Sequence, residues 1–264
     1  MSDLLMLKLG GSLLTDKAGV EALRPAVLER LAQEVHAARR ENPDLRLVVG
    51  HGSGSFGHVA AARHGTARGV HTPQEWRGFA DVSAAAARLN RLVTEALLAA
   101  GVPALSLQPS ASALCEGGEL VRLAVEPVKL ALGANLVPVV YGDVAFDRRS
   151  GGTIISTEKI LSFLVAHLQP TWLLLAGETD GVYDAEGQVA SEITPETFPA
   201  LEGALGGSRG TDVTGGMGSK VRGMLDLVQT YPALRVSIFS GLEAGRLQQA
   251  LLQPDQGTGT IIHL

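Results

Sequence analysis

The sequence has few of the residues that stabilise secreted proteins or that place a chain in a membrane. Its only cysteine, Cys115, excludes an internal disulfide and a thiolate metal cage, so a reducing cytoplasm is the expected location. Aromatic residues make up only 4% of the chain, which predicts a core of aliphatic side chains. No uncharged apolar run approaches the ~18 residues of a membrane span, and Met1-Ser2-Asp3 lacks the basic start of a signal peptide, so neither is expected.

Charge of either sign is also modest. The 22 basic and 27 acidic residues give a net charge of −5, which argues against a nucleic-acid binder, because such proteins cluster lysine and arginine. Glycine, in contrast, is abundant: there are 32 residues, where average usage of about 7% predicts roughly 18. Much of it lies in tight clusters, and clustered glycines expose backbone N–H groups of the kind that bind phosphates.

Short aliphatic runs alternate with helical patterns, and this alternation predicts an α/β fold, a three-layer αβα sandwich with an open, mostly parallel central sheet. The predicted strands are Leu4–Leu9, Leu45–Val49, Ala104–Leu107, Leu136–Tyr141, Trp172–Ala176 and Arg235–Phe239. The predicted helices are Pro25–Glu41, a long helix capped by Thr72 and ending at Ala99, Glu126–Leu132, Glu158–Leu168, Lys220–Gln229 and Glu243–Leu251. We also expect a hairpin inserted over the sheet at Leu114–Val125 and a flexible active-site loop at Gly203–Gly218.

The first predicted strand ends in the motif Lys8-Leu9-Gly10-Gly11-Ser12. A lysine inside an apolar strand is costly unless an anion pairs with it, and the adjacent glycines let backbone amides approach a phosphate. The alternative is a plain strand end at which the lysine reaches solvent. The segment from Asp212 to Lys220 again combines small residues with a lysine at the start of a helix.

A second glycine motif, His51-Gly52-Ser53-Gly54-Ser55-Phe56-Gly57-His58, follows the second predicted strand. Its G-x-G-x-x-G spacing matches the dinucleotide fingerprint, but the strand and acidic residue that this fingerprint requires about 20 residues later are missing. An anion site at a helix N-terminus remains, with His58 as a further donor. We expect packing or surface positions for His36, His64, His71, His167 and His263.

Two further motifs follow predicted strands. Gly142-Asp143 lies where carboxylates of a parallel sheet point into the ligand crevice, although a turn or helix-cap aspartate is an equal alternative. The segment Glu178–Tyr183 contains Thr-Asp-Gly-Val-Tyr and has the same two interpretations.

These motifs, in this order from Lys8 to Ile261, resemble the amino acid kinase superfamily over nearly the whole chain. The Gly-Ser-Phe-Gly-His stretch that ends at His58 resembles the branch whose acceptor is isopentenyl phosphate; fosfomycin kinases share that histidine and are the closest alternative. Two segments depart from the pattern: Ser53 replaces a glycine in the histidine loop, and Ser156-Thr157-Glu158 replaces Ser-Gly-Asp.

The resemblance implies a small-molecule kinase that uses ATP and Mg²⁺ and forms a homodimer. It also implies one domain over residues 1–264, with an acceptor lobe of about residues 1–145 and a nucleotide lobe of about residues 146–264. The implied catalytic residues are Lys8, Lys17, His58 and Lys220. The implied ATP-binding residues are Lys8, Leu9, Gly10, Gly11, Ser12, Gly54, Thr179, Asp180, Gly181, Val182, Tyr183, Gly216 and Lys220. The expected substrate-binding residues are Ser53, Gly54, Gly57, His58, Gly142, Asp143 and Thr157.

The expected reaction transfers the ATP γ-phosphoryl group to isopentenyl phosphate and gives isopentenyl diphosphate and ADP. For the five-carbon tail, the long helix offers Trp76, Phe79, Val82 and Ala86 on one face, a stripe that is equally consistent with a structural core. The alternatives are a kinase for fosfomycin or another small phosphonate or phosphate, and a nucleotide- or oxyanion-binding protein without catalysis.

Overall fold

The computed structural model describes residues 4–205, 216–256 and 259–264. The strands of this part of the chain are β1 (Leu4–Leu9), β2 (Arg46–His51), β3 (Ala104–Ser106), β4 (Leu114–Glu116), β5 (Glu119–Arg122), β6 (Val137–Tyr141), β7 (Asp143–Asp147), β8 (Gly151–Ile155), β9 (Trp172–Gly177), β10 (Glu192–Ile193), β11 (Arg235–Ser240) and β12 (Thr260–Ile262). Its α-helices are α1 (Gly11–Leu14), α2 (Pro25–Glu41), α3 (Gly54–His64), α4 (Pro73–Ala99), α5 (Glu126–Gly133), α6 (Thr157–Leu168), α7 (Phe198–Leu205), α8 (Gly216–Thr230) and α9 (Arg246–Leu252).

The larger of two sheets has eight strands in the order β10-β12-β11-β9-β1-β2-β6-β3. Its neighbours are parallel except for the antiparallel pair β11–β12. At its centre Lys8 on β1 lies in register with Gly50 on β2 and with Leu175 on β9. The sheet stays open, so the predicted open, mostly parallel sheet is confirmed.

Helices cover both faces of this sheet. Successive strand residues point to opposite sides, so an apolar strand presents two apolar faces that need to be buried. Met6 belongs to the core on the side of α5, α6 and α8. Its neighbours Leu5 and Leu7 belong to the core on the side of α1, α2, α4 and α9. The predicted three-layer αβα arrangement is therefore confirmed.

A second sheet has four strands in the order β5-β4-β7-β8. The predicted hairpin appears as β4–β5, but it pairs through β4 with the hairpin β7–β8, which the sequence analysis did not predict. The carboxylate of Asp147 connects the two hairpins, because it accepts hydrogen bonds from the backbone N–H groups of Gly117 and Gly118 on one and of Arg149 and Ser150 on the other.

The prediction of a flexible loop over Gly203–Gly218 is wrong at both ends. Gly203 lies in α7 and Gly216 begins α8, four residues before the predicted start at Lys220. Both corrections have the same cause: apolar residues that pack against the core, such as Phe198 in α7 and Val221 in α8, extend helical structure into glycine-containing sequence. The motif residues Asp212–Gly215 lie outside the described residues.

The last predicted helix, Glu243–Leu251, starts three residues later than expected, at Arg246. Gly245 precedes it with a φ of 83°, a left-handed conformation that interrupts helical geometry. The long helix starts as predicted, because Thr72 and Glu75 form a complete capping box.

Candidate active site

The carboxyl ends of the central parallel strands meet at one edge of the large sheet, where α/β proteins bind ligands. Hydrogen bonds connect neighbouring strand ends there: the Gly10 nitrogen donates to the Ala176 oxygen at 2.8 Å, and the Gly52 nitrogen donates to the Leu9 oxygen at 3.0 Å. The amide of Gly10 is therefore already used. The amides of Gly11 and Ser12 lie in the first turn of α1, where N–H groups have no acceptor within the helix.

The two glycine loops touch each other through their backbones. A Cβ atom on Gly11 would lie 2.5 Å from the Gly54 nitrogen, and one on Gly52 would lie 2.8 Å from the Gly11 nitrogen. Gly54 also has a φ of +49°, in the left-handed region. Buried Thr15 joins the loops further, because its Oγ1 accepts from the Ser55 nitrogen at 2.9 Å and donates to the Gly11 oxygen at 2.8 Å. Close packing between the two loops therefore requires glycine at positions 11, 52 and 54.

A partly buried carboxylate interacts with the positive charges of two predicted catalytic lysines. The Lys8 ammonium donates a hydrogen bond to Glu158 on the first turn of α6, and only 12% of the Lys8 side chain and 26% of that of Glu158 are exposed. Burial alone would raise the pKa of Glu158, but the charge and hydrogen bond of Lys8 and the charge of Lys220 on α8 outweigh it, so the pKa is lowered. Lys8 therefore contacts this carboxylate directly, and the positive charge of Lys220 also acts on it.

Glu158 was missed as a site residue. The sequence signal that could have found it is its place in the first turn of a predicted helix, where the tripeptide departs from the family pattern. Its pairing with Lys8, 150 residues away in the chain, is a tertiary contact.

Helix α3 carries the predicted acceptor-binding residues. Ser53 is its N-cap residue, and a Cβ atom on Gly57 would collide with the Ser53 hydroxyl group, so these two positions are adjacent. His58 follows in the second turn and is exposed. The structure thus places His58 on the helix that begins at the contact between the two glycine loops.

Three other predicted substrate-binding residues are turned into the protein. Asp143, which is 1% exposed, accepts from the Ser83 hydroxyl at 3.0 Å and from the Ser110 nitrogen at 3.2 Å, and burial raises its pKa. The Thr157 hydroxyl donates to the His51 oxygen at 2.6 Å. A Cβ atom on Gly142 would lie 3.3 Å from that hydroxyl. These residues stabilise the carboxyl edge of the large sheet through contacts within the protein.

The predicted tail-binding stripe faces the small sheet. Phe79 and Val82 pack with Val144 on β7, and the Phe79 ring lies 5.5 Å from that of exposed Phe146. Ala86 is buried one turn further along α4. The stripe is therefore part of an apolar cluster, and its contact with a substrate stays a prediction.

The remaining predicted residues lie around the same edge. Lys17 is exposed in the turn after α1, and Gly216 begins α8 with a φ of +71°. Two hydrogen bonds hold the segment Thr179–Tyr183. The Val182 nitrogen donates to the Thr260 hydroxyl of β12 at 2.8 Å, and within the segment the Tyr183 hydroxyl donates to Asp180 at 3.2 Å. The roles assigned to these residues stay predictions.

The described part of the chain contains no group of three or more histidine, cysteine, aspartate or glutamate residues that could hold a metal ion. None of its helices combines the length and apolar character that spanning a bilayer requires.

An αβα sandwich with lysines and touching glycine loops at the carboxyl edge of its sheet defines a phosphate-binding enzyme of the kinase class. The sequence model of the amino acid kinase family matches residues 3–240, and the chain belongs to that family.

Three comparisons with known proteins show which members of this family the chain is similar to. The chain is 31% identical to the isopentenyl phosphate kinase of Methanocaldococcus jannaschii over 262 residues, which cover 97% of each chain. It is 39% identical to the isopentenyl phosphate kinase of Haloferax volcanii over 226 residues, 85% of this chain and 88% of the relative. A crystal structure described as isopentenyl phosphate kinase superposes with a TM-score of 0.82 at 30% identity, covering 98% of this chain and 99% of the other.

Proposed function

We propose that this protein transfers the γ-phosphoryl group of ATP to the phosphate of isopentenyl phosphate, which gives isopentenyl diphosphate and ADP. The observation that carries the proposal is the arrangement of Lys8, Glu158 and Lys220 beside the two touching glycine loops. Similarity to isopentenyl phosphate kinases along nearly the whole chain supports the choice of acceptor.

The chemical problem is repulsion between two anions. An alkyl phosphate has a second pKa near 6, so its attacking oxygen is already ionised at pH 7 and no general base is needed. The site must instead hold two polyanions close together, in line, and compensate the charge on the moving group.

Lys8 and Lys220 supply positive charge to the transferred phosphoryl group. Lys17, in its exposed turn, supplies further positive charge to the same group. Glu158 holds the Lys8 ammonium in place before nucleotide binds, and its negative charge partly offsets the two lysines. The amides of Gly11, Ser12 and Gly54 hold the phosphates of ATP at the contact between the loops. Mg²⁺ would enter on the nucleotide phosphates, as is usual for this ion, and add further positive charge there.

Ser53 and His58 hold the acceptor phosphate. Ser53 is the N-cap residue of α3, whose first N–H groups favour an anion, and His58 follows in the second turn, where an adjacent dianion favours its imidazolium form. This pairing selects acceptors that already carry a phosphate or phosphonate group. The acceptor tail extends along α4 toward Phe79, Val82 and Ala86, where burial of five carbons contributes roughly 3–4 kcal/mol at ~0.8 kcal/mol per CH₂ group.

The proposal extends to the wider organisation of the protein. One domain over residues 1–264 has its acceptor side at about residues 1–145 and its nucleotide side at about residues 146–264. The protein works in the cytoplasm as a homodimer, as is expected of this family.

The test measures ADP release from ATP with three acceptors: isopentenyl phosphate, dimethylallyl phosphate and fosfomycin. We expect the highest kcat/KM with isopentenyl phosphate. A preference for fosfomycin would replace the proposed acceptor with a phosphonate. ATP binding without turnover of any acceptor would reduce the protein to a nucleotide binder.

A further inference from the structure

His51 is the last residue of β2 and directly precedes the second glycine loop, and none of the proposed roles uses its side chain. The residue is 0% exposed. Its ring stacks on Tyr141, its partner across the neighbouring strand β6, with ring centroids 5.5 Å apart and planes 8° apart. A polar ring in this position must be held by hydrogen bonds.

Both ring nitrogens have partners. Nδ1 lies 3.1 Å from the Gly52 oxygen, and Nε2 lies 3.2 Å from the side-chain amide of Asn90 on α4, at the end placed as Oδ1. The backbone oxygen of Gly52 cannot change its role, whereas the two ends of the Asn90 amide can exchange. Burial lowers the pKa of His51, which favours the neutral ring with hydrogen on one nitrogen. Since the Gly52 oxygen can only accept, Nδ1 must be the protonated nitrogen.

The neutral ring then requires a donor at Nε2. Asn90 provides one when its amide nitrogen faces His51, since the two ends of an amide group exchange by rotation. The Asn90 oxygen then accepts from the hydroxyl of Ser106, which lies 2.5 Å from the other end of that amide. A directed chain of hydrogen bonds thus runs from β3 through α4 to the glycine loop.

The backbone oxygen of His51 connects two more elements. It accepts from the Thr157 hydroxyl at 2.6 Å and from the Gly142 nitrogen at 3.2 Å. Thr157 starts α6, and the next residue is Glu158, the partner of Lys8. One residue therefore contacts the glycine loop, the end of β6 and the helix that orients Lys8.

We propose that the buried imidazole of His51, as the neutral tautomer with hydrogen on Nδ1, is a positioning residue for phosphoryl transfer that holds the Gly52 carbonyl and through it the two touching glycine loops. The inference rests on the proposed kinase function. Gly52 abuts the Gly11 backbone, so rotation of its carbonyl displaces both loops together. A displacement of ~1 Å is enough to reduce turnover by about 10²-fold.

The test compares three replacements of His51 in the full-length protein. His51→Asn puts an amide nitrogen where Nδ1 lies, His51→Gln puts one where Nε2 lies, and His51→Phe keeps only the stacked ring. We expect the Gln and Phe variants to lose about 10- to 100-fold in kcat, with KM for ATP and isopentenyl phosphate nearly unchanged. The Asn variant should keep most of the kcat.

Thr94→Val is the matched control, because buried Thr94 donates one hydrogen bond to the Asn90 backbone oxygen away from the loops. It should lower the melting temperature and leave kcat unchanged. A kcat for His51→Gln equal to or above that of His51→Asn would overturn the proposal, as would a kcat loss in His51→Phe no larger than that of the control.

A measurement without substrate separates this inference from the proposed function and serves even where a variant does not fold. The ¹⁵N chemical shifts of the His51 ring in the wild-type protein should show the neutral tautomer with hydrogen on Nδ1. Hydrogen on Nε2 at neutral pH would overturn the inference, whichever acceptor the enzyme uses. Wild-type protein without kinase activity but with the Nδ1–H tautomer would instead count against the proposed function.

Discussion

The two sheets of this protein are held in different ways. The central strands of the large sheet are buried on both faces by aliphatic side chains, and its site is formed by backbone that follows the strand ends. The small sheet also packs against the core, through buried residues such as Cys115 and Ala145, but polar groups join its hairpins to each other and to α6. The Asp147 carboxylate accepts from the Gly118 nitrogen, and the Lys159 ammonium of α6 donates to the Gly118 oxygen at 2.8 Å. The large sheet therefore sets the geometry of catalysis, while side-chain contacts determine how the small sheet packs against it.

The largest expected effect distinguishes Lys8 on β1 from Lys159, which lies on α6 and contacts the small sheet. Lys8→Met removes positive charge from the transferred phosphoryl group and leaves Glu158 without its buried partner. We expect kcat/KM for isopentenyl phosphate to fall by about 10³-fold, as for the loss of a strong transition-state donor, measured by coupled ADP release.

Lys159→Met is the matched control, because Lys159 contacts Gly118 and Glu119 of the small sheet. It should leave the rate close to wild type. Similar losses of kcat/KM in the two variants would contradict the assignment of catalysis to the large sheet.

The next effect concerns two histidines on α3. His58→Ala removes the proposed donor to the acceptor phosphate, so acceptor turnover should fall by about 10²-fold while ATP affinity, measured by titration calorimetry, is retained. His64→Ala, at the end of the same helix, removes a contact of 3.5 Å with Asp81 and packing against Gly78 on α4, so it should leave acceptor turnover unchanged. Unchanged turnover in His58→Ala would remove this histidine from the mechanism.

A third prediction tests the backbone contact between the glycine loops. Gly11→Ala forces a Cβ atom to within 2.5 Å of the Gly54 nitrogen. We expect it to lower the free energy of unfolding by about 1–3 kcal/mol, as overpacking does, measured by urea denaturation. Gly133→Ala in α5, where a Cβ atom would meet nothing within 4 Å, should not destabilise the protein. Equal stability of the two variants would show that the loops separate easily.

The fourth prediction concerns the contact between the two hairpins of the small sheet, whose effect on stability decreases at low pH. Burial alone would raise the pKa of Asp147, but hydrogen bonds from four backbone N–H groups outweigh it and lower the pKa. A lowered folded-state pKa stabilises the protein above the unfolded-state pKa of ~3.9, and this contribution is lost as pH falls through the folded-state value. Asp147→Asn should therefore cost about 1–3 kcal/mol of unfolding free energy at pH 7, and less near pH 3.

Asp184→Asn is the control for that experiment. Asp184 also accepts from two backbone N–H groups, those of Glu186 and Gln188, but in an exposed turn. It should change the unfolding free energy by at most about 0.5 kcal/mol. A cost for Asp147→Asn that stays constant between pH 7 and pH 3 would contradict the role of its charge.

Much of the fold could be predicted because buried strands and helices each have a characteristic spacing of apolar residues. Leu4–Leu9 and Pro25–Glu41 have the predicted bounds, since an apolar run and a helical stripe are local signals. The hairpin β7–β8 was missed because Gly142 and Asp143, at the start of β7, have the composition of a turn, and its partner β4 lies in another part of the chain. The candidate site was found through its glycines, while Glu158 and His51 were not, because their contacts are made across the sheet.

The amino-acid order by itself determined the layered α/β class, the crossover helices and the positions of the glycine loops, because periodicity and backbone freedom are properties of neighbouring residues. Only tertiary structure decided that Glu158 pairs with Lys8, that Gly11 touches Gly54, and that Asp143 and Thr157 face inward. These outcomes depend on which strand ends become neighbours, and strand order is set by packing of the whole chain.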